Sequence, residues 1–268
     1  MIETIGVIGC GVVGSAVVNG FRLHLPVYIY DKYKKGYNTL EFTVNKSDVL
    51  FICVPTLTVD NKQDLSDIYN SIEDIDGVAT DRKLIVIKST VVPGTTRKLA
   101  EKYPQHEFVF NPEFLTARTA AHDFMHQKQI ILGFNGTPNI DITPLYLLYN
   151  DIFNDTPIII TTWATAELVK YMCNCMYAIK ITAANQIYNA AKHLGVDYNA
   201  VKNICVDNGW MSSMHLDVPG HDGKLGYGGH CFPKDMRAFA SWGKENGVDL
   251  SLFDKADEIN NNIRDMER

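Results

Sequence analysis

A glycine-rich segment near the start of the chain has the spacing of a turn that binds a dinucleotide. It follows an apolar run at residues 4–8 and precedes a stretch compatible with a helix, the context in which this motif is specific. Glycines allow the backbone to turn tightly and to approach a pyrophosphate, whose charge the N-terminus of a helix stabilises. The residues of the motif are Gly9, Gly11, Val12, Val13 and Gly14. A glycine turn of purely structural use is the alternative.

An acidic residue further along predicts which form of the cofactor binds. Asp31 ends the second apolar run, about 20 residues after the glycines, where a carboxylate accepts from both ribose hydroxyls of NAD and repels the 2′-phosphate of NADP. Lys32, Lys34 and Lys35 follow it, and their charge could soften this preference, although lysines after a strand are more often part of a solvated turn. We therefore expect NAD, with Lys32 among the residues that contact it.

Short apolar runs alternate with amphipathic stretches in the first part of the chain, which predicts buried parallel strands separated by helices. The runs lie at residues 4–8, 27–30, 49–54, 84–87, 108–110, 130–132 and 158–160. We predict an α/β fold, a Rossmann-type doubly wound parallel sheet over residues 1–161 that binds NAD. Residues 162–193 lack proline and glycine and predict one long connecting helix, which Gly195 ends. This helix would begin a small all-helical domain, 162–268. Beyond the helix lie residues 196–206, a glycine-rich loop at 220–229 and two predicted helical segments at 236–245 and 252–268.

Composition excludes several classes of protein. The 268 residues are 46% hydrophobic and 21% charged, as in soluble globular chains. A formal net charge of −6 and the lack of a basic stripe argue against nucleic acid as a partner. The sequence has no run of about 18 apolar residues and no basic leader, so we expect no membrane span and a cytoplasmic location. The six cysteines include no C-x-x-C pair, so we expect reduced thiols and no metal.

Five further segments carry a resemblance to a known family. They lie at residues 51–56, 88–96, 111–115, 166–174 and 226–235, and the last contains Gly-Gly-His-Cys-Phe-Pro-Lys-Asp. In order and spacing, over nearly the whole chain, they resemble the UDP-glucose/GDP-mannose 6-dehydrogenase family. Its members oxidise the C6 hydroxymethyl group of a nucleotide sugar to a carboxylate, with two NAD and a cysteine thioester. The resemblance implies a nucleotide-sugar substrate, UDP-glucose above others, and a role in making polysaccharide precursors.

Cys231 is the candidate nucleophile. A four-electron oxidation of an alcohol needs a group that traps the intermediate aldehyde, and a thiolate adduct presents a second hydride at the same carbon. Cys231 follows a glycine-rich turn and precedes Lys234, whose charge would favour the thiolate. A buried structural cysteine is the alternative. The resemblance implies that Cys231 forms the thioester and that the substrate contacts include Tyr227, Gly228, Gly229 and Lys234.

Lys170 and Asn174 are four residues apart on the predicted long helix, so both side chains leave one face and can reach the same ligand. A surface lysine and an ordinary polar position are the alternative. In the family, the matching residues flank the reacting C6 oxygen, where they stabilise the developing oxyanion and order a water. The resemblance also implies that Asp235 holds this water and is the general base of the first oxidation.

Glu113 resembles the family's carboxylate that activates water for hydrolysis of the thioester. An Asn-Pro turn precedes it, and this turn would place it at the carboxyl edge of the sheet, where α/β proteins bind ligands. Phe114 and Leu115 follow as implied substrate contacts.

Two other segments imply residues along the cofactor. Thr90 matches a threonine at the reacting centre, and Thr56 matches one beside the nicotinamide ribose. Val54, Pro55 and Ser89 complete the implied cofactor contacts. For Ser89, the chemistry of turns and helix caps is an equally good explanation.

The chain departs from the family at three points. Ala117 and Arg118 stand where relatives carry a glutamate and a glycine, which removes one carboxylate from the hydrolytic step. Residues 206–211, which include Gly209, lack the arginine with which relatives reach a substrate phosphate across a dimer interface. The sequence ends shortly after residues 256–260, where relatives continue into a second α/β domain, so we expect that third, UDP-binding domain to be absent.

Two other functions fit parts of the sequence. One is a two-electron dehydrogenase of the β-hydroxyacid and 6-phosphogluconate type, because such enzymes also have the dinucleotide domain and a Lys-x-x-x-Asn helix. The Gly-Gly-His-Cys-Phe-Pro-Lys-Asp segment of this chain argues against it. A non-catalytic NAD-binding subunit that needs a partner chain is the other, although the retained set of candidate catalytic residues weighs against it.

The predicted long helix also has an apolar stripe, which includes Ile179 and Ile187. Packing this stripe against a symmetric copy would remove it from water, and members of the family dimerise through this region. We therefore expect a homodimer.

Overall fold

The computed structural model describes residues 1–135 and 141–265, and within these ranges seven strands form one sheet and two form a hairpin. The strands are β1 (Ile5–Ile8), β2 (Val27–Tyr30), β3 (Val49–Ile52), β4 (Thr58–Val59), β5 (Lys62–Gln63), β6 (Leu84–Ile87), β7 (Glu107–Phe110), β8 (Ile130–Gly133) and β9 (Ile158–Thr161). The helices are α1 (Val12–Phe21), α2 (Leu40–Asn45), α3 (Ser66–Val78), α4 (Thr95–Lys102), α5 (Ala120–Met125), α6 (Thr143–Ile152), α7 (Trp163–Leu194), α8 (Tyr198–Asp207), α9 (Cys231–Glu245) and α10 (Ser251–Asp265). The last predicted helical residues, 266–268, lie outside the described ranges.

The large sheet has the strand order β2-β1-β3-β6-β7-β8-β9. Its neighbouring strands are parallel except for β7 and β8, which are antiparallel and pair only through Phe110 and Gly133. The doubly wound α/β fold class is confirmed, and each predicted apolar run forms a strand. The sheet is nevertheless mostly rather than wholly parallel. An apolar run has the same pattern in either direction, so the sequence could not reveal this reversal.

Apolar side chains cover both faces of the sheet. Successive residues of a strand point to opposite faces, and in β3 Phe51 packs against Phe21 of α1 with ring centroids 5.4 Å apart. Its neighbour Leu50 belongs to a different buried cluster, which contains Ile72 of α3. Strands β1, β3 and β8 are buried on both faces and therefore appear in the sequence as continuous apolar runs. At the edge of the sheet, β9 keeps an apolar run although Ile159 and Ile160 are exposed. The carboxyl ends of the parallel strands meet at one edge, where their loops can hold a ligand.

Glu167 of α7 fixes the start of α4. Its carboxylate is buried and accepts from the backbone N–H groups of Gly94 (2.6 Å) and Thr96 (2.8 Å) and from the Thr96 hydroxyl (2.7 Å). The first N–H groups of a helix have no partner inside the helix, so this carboxylate satisfies two groups that would otherwise be buried and unbonded. Glu167 therefore has a structural role within the segment 166–174.

The chain divides into two compact units. The first comprises Met1–Leu57 and Asp64–Lys170, and the second comprises Thr58–Gln63 and the chain from Tyr171 onward. The sequence-based boundary after residue 161 marks the end of the last strand, whereas this division falls within α7.

The hairpin of β4 and β5 belongs to the second unit. The Thr58 hydroxyl donates to the carbonyl oxygen of Lys234 (3.0 Å), and Lys62 forms an ion pair with Glu245 (2.7 Å). Each strand of this hairpin has only two residues, too few for the alternation by which a strand is found in a sequence.

The remainder of the second unit is helical. Its buried cluster consists of Ala184, Ala191, Tyr198, Leu216 and Val218. Helix α9 begins at Cys231, earlier than the predicted start at 236, and Pro233 suits its first turn because the N–H that proline lacks has no helical partner there. In the described residues, none of the helices combines the length and apolar character needed to cross a membrane.

Candidate functional site

The glycines of the motif after β1 have different surroundings. Gly9 has a φ of +88°, and a β-carbon on it would lie 2.8 Å from the carbonyl oxygen of Cys53. A β-carbon on Gly14 would overlap the carbonyl oxygen of Gly9, so this glycine allows α1 to pack closely against the turn. Gly11 caps α1 with a negative φ, and no atom lies within 4 Å of a β-carbon built on it. The fold requires Gly9 and Gly14, whereas the space at Gly11 remains open to a ligand.

A cavity of about 390 Å³ lies beside this turn in the first unit, a size within the usual range for ligand pockets. Most predicted cofactor residues line it: Gly9, Gly11, Val12, Val13, Asp31, Lys32, Val54 and Pro55. Sequence reasoning missed the residues that α3 contributes to the cavity wall, which are Asp67, Asn70, Ser71 and Asp74. These positions recur at helical spacing, so a polar stripe on one face of α3 was the signal that could have revealed them. The open space at Gly11 and this cavity fit the pyrophosphate and adenosine parts of NAD.

Asp31 is held as a carboxylate in the cavity wall. Its two oxygens accept from the backbone N–H groups of Cys10 (2.8 Å), Tyr33 (2.9 Å) and Lys34 (3.0 Å). Burial alone would raise the pKa of Asp31, but these three N–H groups and the nearby Lys34 ammonium outweigh it and hold the pKa below its usual range. The Lys34 ammonium donates to the carbonyl oxygen of Cys10 (2.5 Å). A negative charge is therefore fixed where the sequence predicts the ribose hydroxyls.

The hydroxyls of Thr56 and Ser89 bind neighbouring backbone, and Thr56, Ser89 and Thr90 are not among the residues that line the cavity. The Thr56 hydroxyl donates to the carbonyl oxygen of Thr90 (2.8 Å), and the Ser89 hydroxyl donates to that of Val54 (2.7 Å). These bonds join the segments that follow β3 and β6. The structure thus gives these hydroxyls a structural use, while their predicted cofactor contacts stay predictions.

Glu113 and Lys170 form a buried ion pair within the first unit. The Lys170 ammonium donates to Glu113 Oε1 (3.0 Å) and to the Glu113 carbonyl oxygen (2.5 Å), and the Leu115 N–H donates to Oε2 (2.7 Å). Burial alone would raise the pKa of Glu113, but the Lys170 charge and the Leu115 N–H hold the pKa below its usual range. The ammonium also lies 5.4 Å from the centre of the half-exposed Phe114 ring. The structure brings these four predicted residues together.

Lys88 is a buried cation to which the sequence assigned no role. Its ammonium donates to Asn111 Oδ1 (2.9 Å), which also accepts from the Tyr149 hydroxyl (2.5 Å), and Asn111 Nδ2 donates to the carbonyl oxygen of Ile131 (2.8 Å). Burial lowers the pKa of Lys88 to about 8. This network fixes the asparagine that begins the turn leading to Glu113.

Replacing Lys88 by methionine is expected to raise the free energy of unfolding at pH 7 by about 2 kcal/mol, because it removes a buried charge and keeps the apolar volume. The pKa of Lys88 is about 8 in the folded chain against 10.5 ordinarily, so the unfolded state binds more protons between these values and the wild-type chain gains stability as the pH rises. The advantage of Lys88→Met should therefore shrink between pH 8 and pH 10. Urea unfolding at pH 7 and pH 10 measures it.

Lys98→Met, on the exposed side of α4, is the matched control and should change stability by less than about 0.5 kcal/mol at either pH. A stabilisation by Lys88→Met that is the same at both pH values would contradict the assignment of a buried cation.

Asn174, Lys234 and Asp235 meet within the second unit. Asp235 is only 1% exposed, and its carboxylate accepts from Asn174 Nδ2 (2.6 Å) and from the Lys234 ammonium (2.6 Å). The sequence expected the Lys234 charge to act on the Cys231 thiolate, but this charge is paired with the adjacent carboxylate. Each carboxylate oxygen retains a lone pair, so Asp235 can still accept a proton.

Cys231 is exposed and is the first residue of α9. The N-terminus of a helix favours a negative charge, so the position itself favours the thiolate. In the turn before it, Tyr227 is 3% exposed and its hydroxyl donates to Asp257 (2.8 Å), which places this side chain in the interior. Gly229 has a φ of +75°. The Tyr227 side chain is therefore not presented at the surface, and the substrate contacts expected of Tyr227, Gly228, Gly229 and Lys234 stay predictions.

The positions that depart from the family lie on the surface. Ala117 and Arg118 are exposed in the turn before α5, and Gly209, with a φ of +82°, follows the end of α8. Across residues 1–135 and 141–265, no cluster of three or more histidine, cysteine, aspartate or glutamate side chains could hold a metal ion.

Two parts of the chain match models of the domains of one protein family. Residues 29–152 match the NAD binding domain of the UDP-glucose/GDP-mannose dehydrogenase family, and residues 164–262 match the central domain of the same family. The first match confirms the NAD expected from the glycine motif and Asp31.

Comparison with individual proteins also finds similarity to members of this dehydrogenase family. The chain is 32% identical over 248 residues to the UDP-glucose 6-dehydrogenase of Rickettsia bellii, covering 86% of this chain and 55% of that protein. It is 33% identical over 243 residues to the GDP-mannose 6-dehydrogenase of Pseudomonas aeruginosa, covering 85% and 54%. A solved UDP-glucose dehydrogenase from Pyrobaculum islandicum superposes with a TM-score of 0.84 at 27% identity, over 97% of this chain and 68% of that one. The chain spans about half the length of these two curated relatives.

Proposed function

Because the chain belongs to the UDP-glucose/GDP-mannose dehydrogenase family, we propose that it oxidises the C6 hydroxymethyl group of a nucleotide sugar to a carboxylate. UDP-glucose is the favoured substrate because a solved UDP-glucose dehydrogenase superposes on this chain with a TM-score of 0.84. GDP-mannose is the alternative, because curated relatives named for each sugar are about equally similar to this chain. The observation that carries the proposal is the exposed Cys231 at the start of α9, four residues before the buried Asp235 that Asn174 and Lys234 hold. The cytoplasm, which supplies NAD and nucleotide sugars, is the proposed location.

The oxidation consists of two two-electron steps, and NAD, when bound, would accept one hydride in each. The first step converts the C6 alcohol to an aldehyde as the hydroxyl proton leaves. We assign that proton to Asp235, directly or through one water, because its carboxylate is fixed by two hydrogen bonds and keeps lone pairs to accept it. The hydrogen bond from Asn174 Nδ2 to Asp235 also fixes the orientation of the Asn174 amide.

The second step requires the aldehyde to be trapped. The Cys231 thiolate adds to the aldehyde carbon and forms a thiohemiacetal, whose C6–H is removed as the second hydride to leave a thioester. Water then attacks the thioester carbon, releases the carboxylate and restores the thiol. Cys231 suits this role because it is exposed and begins a helix of 15 residues, whose N–H groups favour the anion.

Glu113 is proposed as the group that activates the hydrolytic water, and Lys170 as a cation that stabilises the developing oxyanion. The buried pair keeps Glu113 ionised, so it can accept a proton from water, and it holds the Lys170 ammonium in one position. With Ala117 exposed in place of the relatives' second glutamate, Glu113 would carry this step alone.

The stoichiometry of NADH tests the proposal. Purified chain is mixed with NAD and with UDP-glucose, UDP-N-acetyl sugars or GDP-mannose, and absorbance at 340 nm is compared with product formed. Two NADH per carboxylate support a four-electron dehydrogenase, and the sugar that gives them identifies the substrate. One NADH per product would instead support the two-electron alternative, and NADH formed only after a partner chain is added would support the subunit alternative.

We also propose a homodimer, formed through α7. Along this helix the exposed apolar side chains include Leu168, Met172, Met176 and Ile187, while Ile179 is partly buried. A second copy would remove this stripe from water. Light scattering at micromolar concentration should give twice the mass of 30.1 kDa, and Met172→Glu should shift it toward the monomer, whereas a monomeric wild-type chain would contradict the dimer.

A further inference from the structure

The backbone turn that precedes Cys231 is held by side chains from two helices of the second unit. The Gly226 N–H donates to Asn185 Oδ1 of α7 (3.0 Å), and the Tyr227 N–H donates to Asn260 Oδ1 of α10 (2.7 Å). The Tyr227 carbonyl oxygen accepts from Asn260 Nδ2 (3.0 Å) and from Arg264 Nε (2.9 Å). Every backbone polar group of Tyr227 is thus bonded to a side chain of α10.

Arg264 links this turn to the chain before it. Besides its bond to Tyr227, its guanidinium pairs with Asp222 (2.8 Å) and reaches the carbonyl oxygen of Gly226 (3.4 Å), and its side chain is 19% exposed. A β-carbon on Gly228 would overlap the guanidinium. Arg264 therefore bonds the first two residues of the turn and fills the space that a side chain at position 228 would need.

The bonding groups of α10 share one face of the helix. Asp257, Asn260 and Arg264 are three and four residues apart, the spacing that places side chains in one row. Asp257 accepts from the buried Tyr227 hydroxyl, so the whole of Tyr227, main chain and side chain, is fixed by this row. The turn is thus held by hydrogen bonds to a polar face of α10, and hydrogen bonds fix its orientation more closely than apolar packing would.

We propose that Arg264 is a positioning residue for the Cys231 thiol; this inference rests on the proposed role of Cys231 as nucleophile. Only Gly228, Gly229 and His230 separate Tyr227 from Cys231, so a fixed Tyr227 determines where the first turn of α9 begins. Without the guanidinium, this glycine-rich connection gains conformational freedom, and the thiol no longer holds one position relative to the N–H groups of the helix.

The kinetic test compares Arg264→Ala with Arg264→Lys in the full chain. A displaced nucleophile slows the covalent steps, so Arg264→Ala should lower kcat by about 100-fold and change KM much less. Arg264→Lys keeps one donor and should recover part of the loss. Lys255→Ala removes an exposed cation from another face of α10 and should have no effect. A loss of Arg264→Ala activity confined to KM, or equal losses for alanine and lysine, would overturn the proposal.

Alkylation of the thiols gives a second readout that needs neither substrate nor NAD. Iodoacetamide labelling is followed by mass spectrometry at Cys231 and at Cys205, which is also exposed and is the internal reference. In Arg264→Ala the rate at Cys231 should fall by about tenfold relative to Cys205. An unchanged ratio, or a parallel rise at both cysteines with a lower melting temperature, would overturn the positioning role. Full turnover by Cys231→Ser would instead overturn the proposed function, so the two failures are distinguishable.

Discussion

Replacing Cys231 by serine is expected to lower the turnover of a nucleotide sugar to its carboxylate by about 10³-fold or more. Serine fills the same position at the start of α9, but its hydroxyl is barely ionised at neutral pH and so cannot trap the aldehyde as the thiolate does. Removal of the first hydride does not involve the thiol, so Cys231→Ser should still form NADH once. The expected stoichiometry is therefore at most one NADH per substrate in place of two, measured at 340 nm against product.

Cys205→Ser is the matched control, since Cys205 is also exposed and lies on α8 of the same unit. It should retain both the rate and the stoichiometry of the wild-type chain. Two NADH per carboxylate from Cys231→Ser at an undiminished rate would eliminate the thioester mechanism, whatever the remaining residues do.

The fold could be predicted from the sequence wherever burial leaves a local pattern. Strands such as β3, buried on both faces, appear as continuous apolar runs, and the glycine motif locates the turn before α1. The direction of β8 has no such pattern, because pairing between Phe110 and Gly133 depends on a connection rather than on residue types. Assignment of the hairpin 58–63 to the second unit depends on contacts with α9, which are distant in the sequence.

The partners of charged side chains were the least predictable feature of the site. The proximity of Lys234 to Cys231 in the sequence suggested that its charge acts on the thiol, yet in α9 the ammonium pairs with Asp235. Tyr227 illustrates the same difficulty, because a tyrosine in a glycine-rich turn gives no sign that α10 will bury its hydroxyl. By contrast, the pairing of Glu113 with Lys170 agrees with the resemblance that placed both near reacting groups.

Adding one methyl group at two positions of the glycine motif should separate folding from cofactor binding. In Gly14→Ala the new β-carbon overlaps the backbone oxygen of Gly9, which cannot move without displacing the turn, so we expect a loss of about 3 kcal/mol in the free energy of unfolding. In Gly11→Ala the β-carbon meets no protein atom and φ is negative, so the loss should be within about 1 kcal/mol.

Gly11→Ala, which should have the smaller effect on stability, should weaken the binding of NAD. The methyl group of Gly11→Ala occupies the space through which a pyrophosphate approaches the N–H groups of α1, and losing one charge-assisted hydrogen bond there should raise the Kd for NAD by about 10- to 100-fold. Gly77→Ala adds the same group in open space on α3, outside the cavity, and should leave the Kd unchanged. Calorimetric titration with NAD, beside urea unfolding, measures both effects. If Gly11→Ala bound NAD with wild-type affinity, the pyrophosphate would not lie against Gly11. The methyl group contacts no protein atom, so only a ligand in that space could meet it.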